Sequence, residues 1–220
     1  MDKVDLNIEN YNLNEILELF KLDYDFNSSD LKKAKRVVLM THPFKTICYD
    51  IDQLTNGVTK LSTFMNRLRN QAKTDPDAWD ADTYFGMGFE AFTESLINQM
   101  GASPYIQLKD YTPVLEDDMG VDGFGYGPDG ETHTVQIKAR SNNDSVLTAN
   151  RDHISNFVAH SLLKYGAKTM TIVTSASGLH DVINEQMYMG KVRTIGYNDL
   201  RRLVDNNAMF WSQFRDALKY

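Results

Sequence analysis

The sequence predicts an α/β protein, a mixed sheet flanked by helices, preceded by a small all-helical segment. Three observations carry that reading. Up to residue 74 the apolar residues recur three and four apart, which is the spacing of one helix face. After Trp79, amphipathic stretches alternate with short runs rich in Val, Ile and Thr, the order of helices and strands that layer around a sheet. Between two such runs lies Gly127-Pro128-Asp129-Gly130, a fixed φ beside residues that tolerate positive φ, and hence a hairpin turn. The change of pattern puts a boundary near residue 74, between a helical module at 1–74 and an α/β domain at 75–220.

The helical part opens with Asn12 and Glu15 at capping-box spacing, and Leu13, Ile16, Leu17 and Phe20 make one apolar face, giving a helix over Leu13 to Lys21. Ser28 or Ser29 can cap a second helix, Asp30 to Met40, with Leu31, Ala34 and Val38 inside and Lys32, Lys33, Lys35 and Arg36 outside. Thr41-His42-Pro43 ends it. Ile51, Leu54, Val58, Leu61, Met65 and Leu68 form a continuous stripe that predicts one long third helix in spite of Gly57, packed on the first two helices or on another subunit.

In the second part, Phe85, Phe89, Phe92, Leu96 and Met100 mark a helix that Gly101 can terminate. Glu90 and Glu94 lie four apart on a different face of it. Glu90 is the acid expected to meet the sheet, and Glu94 a solvent-facing or outer acid. A strand at Tyr105 to Leu108 is expected before the hairpin strands at Val121 to Gly125 and Thr134 to Arg140. Thr148 or Asn150 can cap a helix through Tyr165 that uses Ile154, Phe157, Ser161 and Leu162. Met170 to Thr174 reads as a buried strand, Leu179 to Met187 as a helix and Val192 to Ile195 as a strand. Tyr197 to Val204 is the next helix, meeting Asn206-Asn207, and Phe210, Trp211, Phe214 and Leu218 form the closing one.

Composition excludes several classes. No stretch of 18 apolar residues occurs and no charged region precedes an apolar run at the N-terminus, so neither membrane spanning nor secretion is expected. The single cysteine, Cys48, fits the cytoplasm or another reducing compartment and reads as a small buried hydrophobe. His42, His133, His153, His160 and His180 show no zinc spacing and read as surface or capping residues. No phosphate-binding loop is present, and Ser175, Ser177 and His180 lack a nucleophile elbow.

The net charge of −7 is unevenly placed: residues 1–74 carry 11 basic and 10 acidic side chains, 75–138 carry 2 and 13, and 139–220 carry 10 and 7. An acidic cluster around Glu116, Asp117, Asp118 and Asp122 would repel a phosphate backbone unless divalent cations offset it. Strand alternation places Thr134, Gln136 and Lys138 on one side of the second hairpin strand and Val135 and Ile137 on the other, apolar side. Asp122 on the neighbouring strand can then meet Gln136 and Lys138. Oxygen ligands for Mg²⁺ beside a cation are what phosphodiester hydrolysis needs.

Asp122, Gln136-Ile137-Lys138 and the upstream helical Glu90 resemble the PD-(D/E)xK nuclease superfamily, and within it the Mrr-like branch, in which Gln commonly replaces the second acid. The resemblance covers roughly Asp75 to Tyr220 and implies a restriction-endonuclease-like sheet. It implies Asp122 as main metal ligand, Gln136 as second ligand with the Ile137 carbonyl, Lys138 as catalytic lysine and Glu90 as the completing acid. The expectation is a DNA endonuclease dependent on Mg²⁺ or Mn²⁺, of restriction, homing or repair type. A homodimer is expected if both strands are cut. Arg140, Arg151, Lys191 and Arg193 are the basic candidates for phosphate contacts. The N-terminal segment resembles a degenerate J-domain through its basic second helix and His42-Pro43. Phe44 stands where that family has Asp, which argues against a working co-chaperone and for a docking module able to hold a protein partner. The competing class is a non-catalytic nucleic-acid-binding or J-like adaptor protein.

Overall fold

A computed structural model of the chain describes residues 44–74, 81–114, 119–148, 154–180 and 191–219. The helices expected at 13–21 and 30–40, and the J-like turn, lie outside the described residues. The first described helices are α1 (Phe44–Thr55) and α2 (Leu61–Thr74). The stripe from Ile51 to Leu68 is buried throughout, but it belongs to two helices, not one long one. Gly57 stops α1 with a left-handed φ of +66°, and Val58 N–H closes the turn on Thr55 O at 3.0 Å. Leu61 N–H, at the start of α2, then finds its acceptor in Asp205 Oδ1 at 2.8 Å, 144 residues away. Periodicity survived the break because the turn returns α2 to the same core.

Helix α3 (Ala81–Met100) ends where expected. Gly101 O accepts Leu108 N–H at 2.7 Å, and a Cβ at Gly101 would stand 2.2 Å from Leu108 O, so only glycine lets the chain double back there. Residues 105–108 form a turn rather than the expected strand. The strand starts one residue later, as β1 (Lys109–Pro113), with a bulge between Lys109 and Thr112. The hairpin strands are β2 (Gly123–Tyr126) and β3 (Thr132–Lys138), joined by the Gly127–Gly130 turn, in which Gly130 has φ +79°. There follow β4 (Val146–Leu147), α4 (Ile154–Leu163), β5 (Thr169–Thr174), β6 (Gly178–Leu179), β7 (Val192–Ile195), α5 (Tyr197–Val204) and α6 (Ala208–Leu218). Leu179 thus lies in a strand and not at the start of a helix, and the rest of the helix expected to Met187 lies outside the described residues. So do Asn150 and Arg151.

The main sheet has the order β1-β2-β3-β5-β7, antiparallel from β1 to β3 and parallel from β3 to β7, while β4 and β6 pair in a small parallel sheet. It is the mixed α/β sheet flanked by helices that the sequence predicts. Alternation sorts the side chains: Val135, Ile137, Val173 and Ile195 face the layer of α1, α2, α3, α5 and α6, whereas Met170, Ile172 and Val192 face α4. The larger core is aromatic at its centre. Phe64 of α2 lies 5.6 Å from Phe92, 5.7 Å from Trp211 and 5.4 Å from Phe214, centroid to centroid. Among the described residues no helix is long and apolar enough to cross a membrane.

This apolar cluster runs across residue 74, because α1 and α2 supply Ile47, Leu54, Leu61, Phe64 and Leu68 to the same core as α3 and α6. A fragment starting at Asp75 should therefore show no cooperative unfolding transition. Within the full chain, Phe64→Ala should cost about 3–5 kcal/mol, read from the denaturant midpoint. A fragment that melts cooperatively at the full chain's midpoint would place an independent folding unit after residue 74.

Candidate functional site

Asp122 is held from both sides just before β2. Its N–H donates to Val135 O on β3 at 2.9 Å, and its carbonyl accepts Val114 N–H at 3.0 Å from the end of β1. The side chain turns the other way along β3, where Oδ2 accepts Ile137 N–H at 2.5 Å. The carboxylate takes the place of the next backbone rung of the β2–β3 ladder. This fixes its orientation and gives it a charge-assisted bond.

Strand β3 is covered on both faces, so the side expected to be polar is also dry. Thr134 and Gln136 are fully buried, and Thr134 Oγ1 donates to Ser161 Oγ of α4 at 2.8 Å. Neither Oε1 nor Nε2 of Gln136 has a hydrogen-bond partner. A buried primary amide with neither end satisfied is costly, and it marks a place that a ligand or ion can complete. Gly120 makes room for it: a Cβ there would lie 2.3 Å from Gln136 Nε2, and φ +87° disfavours any side chain at that position. Lys138 sits half-buried at the C-terminal end of β3, its carbonyl accepting Thr174 Oγ1 at 2.7 Å. Its ammonium carries no ion pair among the described residues.

The third element is α3. Burial raises the Glu90 carboxyl to about 8; the charge of Asp122 pushes it further in the same direction and Lys138 opposes it. The electrostatics thus tie together Glu90, Asp122 and Lys138 from α3, the entry to β2 and the end of β3. Glu94, one turn on, is only 5% exposed rather than solvent-facing, because α3 is buried almost all round. It sits beside Tyr111, a residue the sequence reading missed. The Tyr111 hydroxyl donates to Asp122 O at 3.3 Å, and burial, then Glu94, Asp122 and Glu90, push its ionisation well above the ordinary phenol range. The available signal was Gly123. A Cβ there would lie 2.3 Å from the Tyr111 ring, and glycine inside a strand marks such an approach. Among the described residues no three His, Cys, Asp or Glu side chains converge as a metal-holding group. The oxygen-bearing side chains brought to this corner are those of Asp122 and Glu90.

The basic candidates scatter. Arg140 lies two residues after Lys138, its N–H donating to Ser175 Oγ at 2.6 Å. Lys191 is exposed just before β7, and Arg151 lies outside the described residues. Arg193 is half-buried on the helical face, donating to Ile106 O at 3.3 Å with Asp199 as its charged neighbour, so it ties the α3–β1 turn to β7. His133 is a core residue rather than a surface or capping one: its ring nitrogens meet Thr171 Oγ1 at 2.7 Å and Thr169 Oγ1 at 2.8 Å, and burial lowers it to about 4.

No protein-family model matches the chain, and no curated protein matches its sequence. Among solved structures, the chain is similar to a DNA modification-dependent restriction endonuclease, AspBHI, at 16% identity and a TM-score of 0.41 over 70% of this chain. The match spans 37% of that structure's chain.

Glu90 gives the site a pH signature. Its carboxyl lies at about 8 in the fold against an ordinary 4.5, so the folded state holds an extra proton between those values. The stability tied to the neutral form is complete below the lower value and is lost as pH rises through the higher one. With a chelator present, the wild type should lose roughly 2–4 kcal/mol relative to Glu90→Gln between about pH 5 and pH 9, read from denaturant midpoints. Parallel profiles for the two proteins would show that the carboxyl is not held neutral.

Proposed function

We propose that the chain is a metal-dependent deoxyribonuclease of PD-(D/E)xK type, closest in its motif to the Mrr-like branch, hydrolysing phosphodiester bonds in DNA. The supporting observation is the cluster itself. Asp122 is fixed on β3 by Ile137 N–H, and the carboxyl of Glu90 feels both that carboxylate and the Lys138 ammonium. A carboxyl forced towards its neutral form within the field of a second carboxylate, together with a buried amide that has no hydrogen-bond partner, makes a donor set that a hard cation would complete. Asp122, Glu90, Gln136 and the Ile137 carbonyl would hold Mg²⁺ or Mn²⁺. Such an ion would supply Lewis-acid stabilisation of the phosphate's charge and acidify the attacking water.

The protein's own groups then divide the work. The Lys138 ammonium holds the water against the scissile phosphorus and offsets the negative charge that grows on the phosphate oxygens. Glu90 would complete the ligand set, its ionised form favoured once a cation is bound. Tyr111 and Gly123 keep the Asp122 backbone in place. Cutting both strands of a duplex would take a homodimer, and nicking a monomer.

The test is incubation of the purified protein with supercoiled, linear and branched DNA, with Mg²⁺ and with a chelator. Cleavage should require the metal. Asp122→Ala and Lys138→Ala should each slow it about a hundredfold or more while leaving the fold and DNA binding in place. Unimpaired cutting by either variant would remove this site assignment, and binding without cutting by the wild type would favour a non-catalytic nucleic-acid-binding protein. Gln136→Glu should raise Mg²⁺ affinity, because a charged oxygen replaces a neutral one. Titration calorimetry showing the same affinity would place position 136 away from the ion.

A further inference from the structure

Among the described residues, Arg69 on α2 has no acidic partner. Its Nη2 donates to Asn143 Oδ1 at 2.9 Å and its Nη1 to Asn66 Oδ1 at 3.2 Å, while its guanidinium carbon lies 4.9 Å from the centre of the Phe85 ring. Nε is enclosed and has no partner. Among the described residues, the groups that grip this side chain are neutral. Amide oxygens and an aromatic face fix the plane of the fork, but they do not cancel its charge.

The other arginines nearby differ. Arg201, Arg202 and Arg215 each pair with an aspartate, and Arg67 caps the end of α1 by donating to Gln53 O and Asn56 O. Arg69 makes no ion pair among the described residues, and burial lowers its proton affinity with only Tyr197 opposing. A partly buried charge held rigid by neutral groups carries a desolvation cost that no ion pair among the described residues offsets.

Its position gives that cost a use. Asn143 belongs to the loop that follows Lys138 and Arg140, and Phe85 lies on α3 five residues before Glu90. Tyr197 opens α5 directly after β7, its N–H donating to Ala176 O beyond the end of β5. Arg69 therefore stands at the C-terminal ends of the parallel strands β3, β5 and β7, the edge where Lys138 sits and where open α/β sheets bind their ligands.

We propose that Arg69 is an anion-binding residue of this cleft and takes a non-scissile phosphate of the bound DNA strand. The inference rests on the nuclease reading above. It makes the helical segment before residue 74 part of the substrate surface. Two N–H groups of the fork are already placed by Asn143 and Asn66, so the remaining outer edge is preorganised for a phosphate oxygen.

The experiment uses the full chain and a short fluorescein-labelled duplex of mixed sequence, with Ca²⁺ replacing Mg²⁺ to suppress cutting, titrated over a salt series. Arg69→Gln should bind about tenfold more weakly, and its slope of log K against log salt should fall by about 0.9, the loss of one phosphate contact. Asn143→Ala removes a grip on Arg69 but no charge, so its slope should match wild type. Duplex should also shield Arg69 of the wild-type protein from phenylglyoxal, read by peptide mass spectrometry, which keeps the test valid if Arg69→Gln does not fold. Unchanged affinity and slope in Arg69→Gln, equal slopes for Arg69→Gln and Asn143→Ala, or undiminished phenylglyoxal labelling would overturn the proposal while leaving the nuclease reading intact. A wild type that binds no duplex would overturn both.

Discussion

The bond from Ile137 N–H to the Asp122 carboxylate organises the region around it. In an antiparallel pair the backbone supplies alternating rungs, and at this point the ladder of β2 and β3 runs out. An aspartate side chain supplies the acceptor that the departing strand no longer offers. The main chain of Asp122 is meanwhile pinned to both β1 and β3. Any movement of β1 or β3 would displace this carboxylate, which makes the sheet register and the acid's position one constraint.

Burial on both faces of β3 follows from the layering and sets the electrostatic character of the site. The helical layer covers Val135 and Ile137, and α4 covers Thr134 and Gln136. Burial there disfavours charge, so the Glu90 carboxyl is driven towards its neutral form, with the charge of Asp122 adding to the effect. Gly120 and Gly123 serve the same crowding from opposite sides, one making room for the Gln136 amide and the other for the Tyr111 ring. Both glycines should tolerate substitution poorly, because any side chain there collides with a buried neighbour.

Several elements were legible in the sequence because their signals are local. The Gly127–Gly130 turn, the end of α3 at Gly101, the strand Val192–Ile195 and the helix Tyr197–Val204 depend on turn chemistry and short-range periodicity. The errors have a common physical cause. A stripe with helical spacing cannot reveal that Gly57 reverses the chain, because both helices return to one core. Nor can it show that α3 is buried on nearly every side, so that Glu94, expected as a solvent-facing or outer acid, is enclosed, or that β3 is covered on both faces, so that His133, expected as a surface or capping residue, lies in the core. Arg193, a candidate for phosphate contact, also donates to a carbonyl in a turn 87 residues earlier, a link no local pattern reveals.

The sequence by itself determined the class of fold, the order of most described elements and the set of residue types that could do chemistry, since propensity, capping and alternation act over a few residues. Only the tertiary structure decided which of those residues meet. Glu90, Asp122 and Lys138 share a field because α3 crosses the sheet where β2 begins and β3 ends. Tyr111 and Arg69 become part of the site's surroundings because β1 bulges and α2 packs on α3. Convergence of side chains far apart in the chain depends on layer packing and strand register, and neither is written in any local pattern.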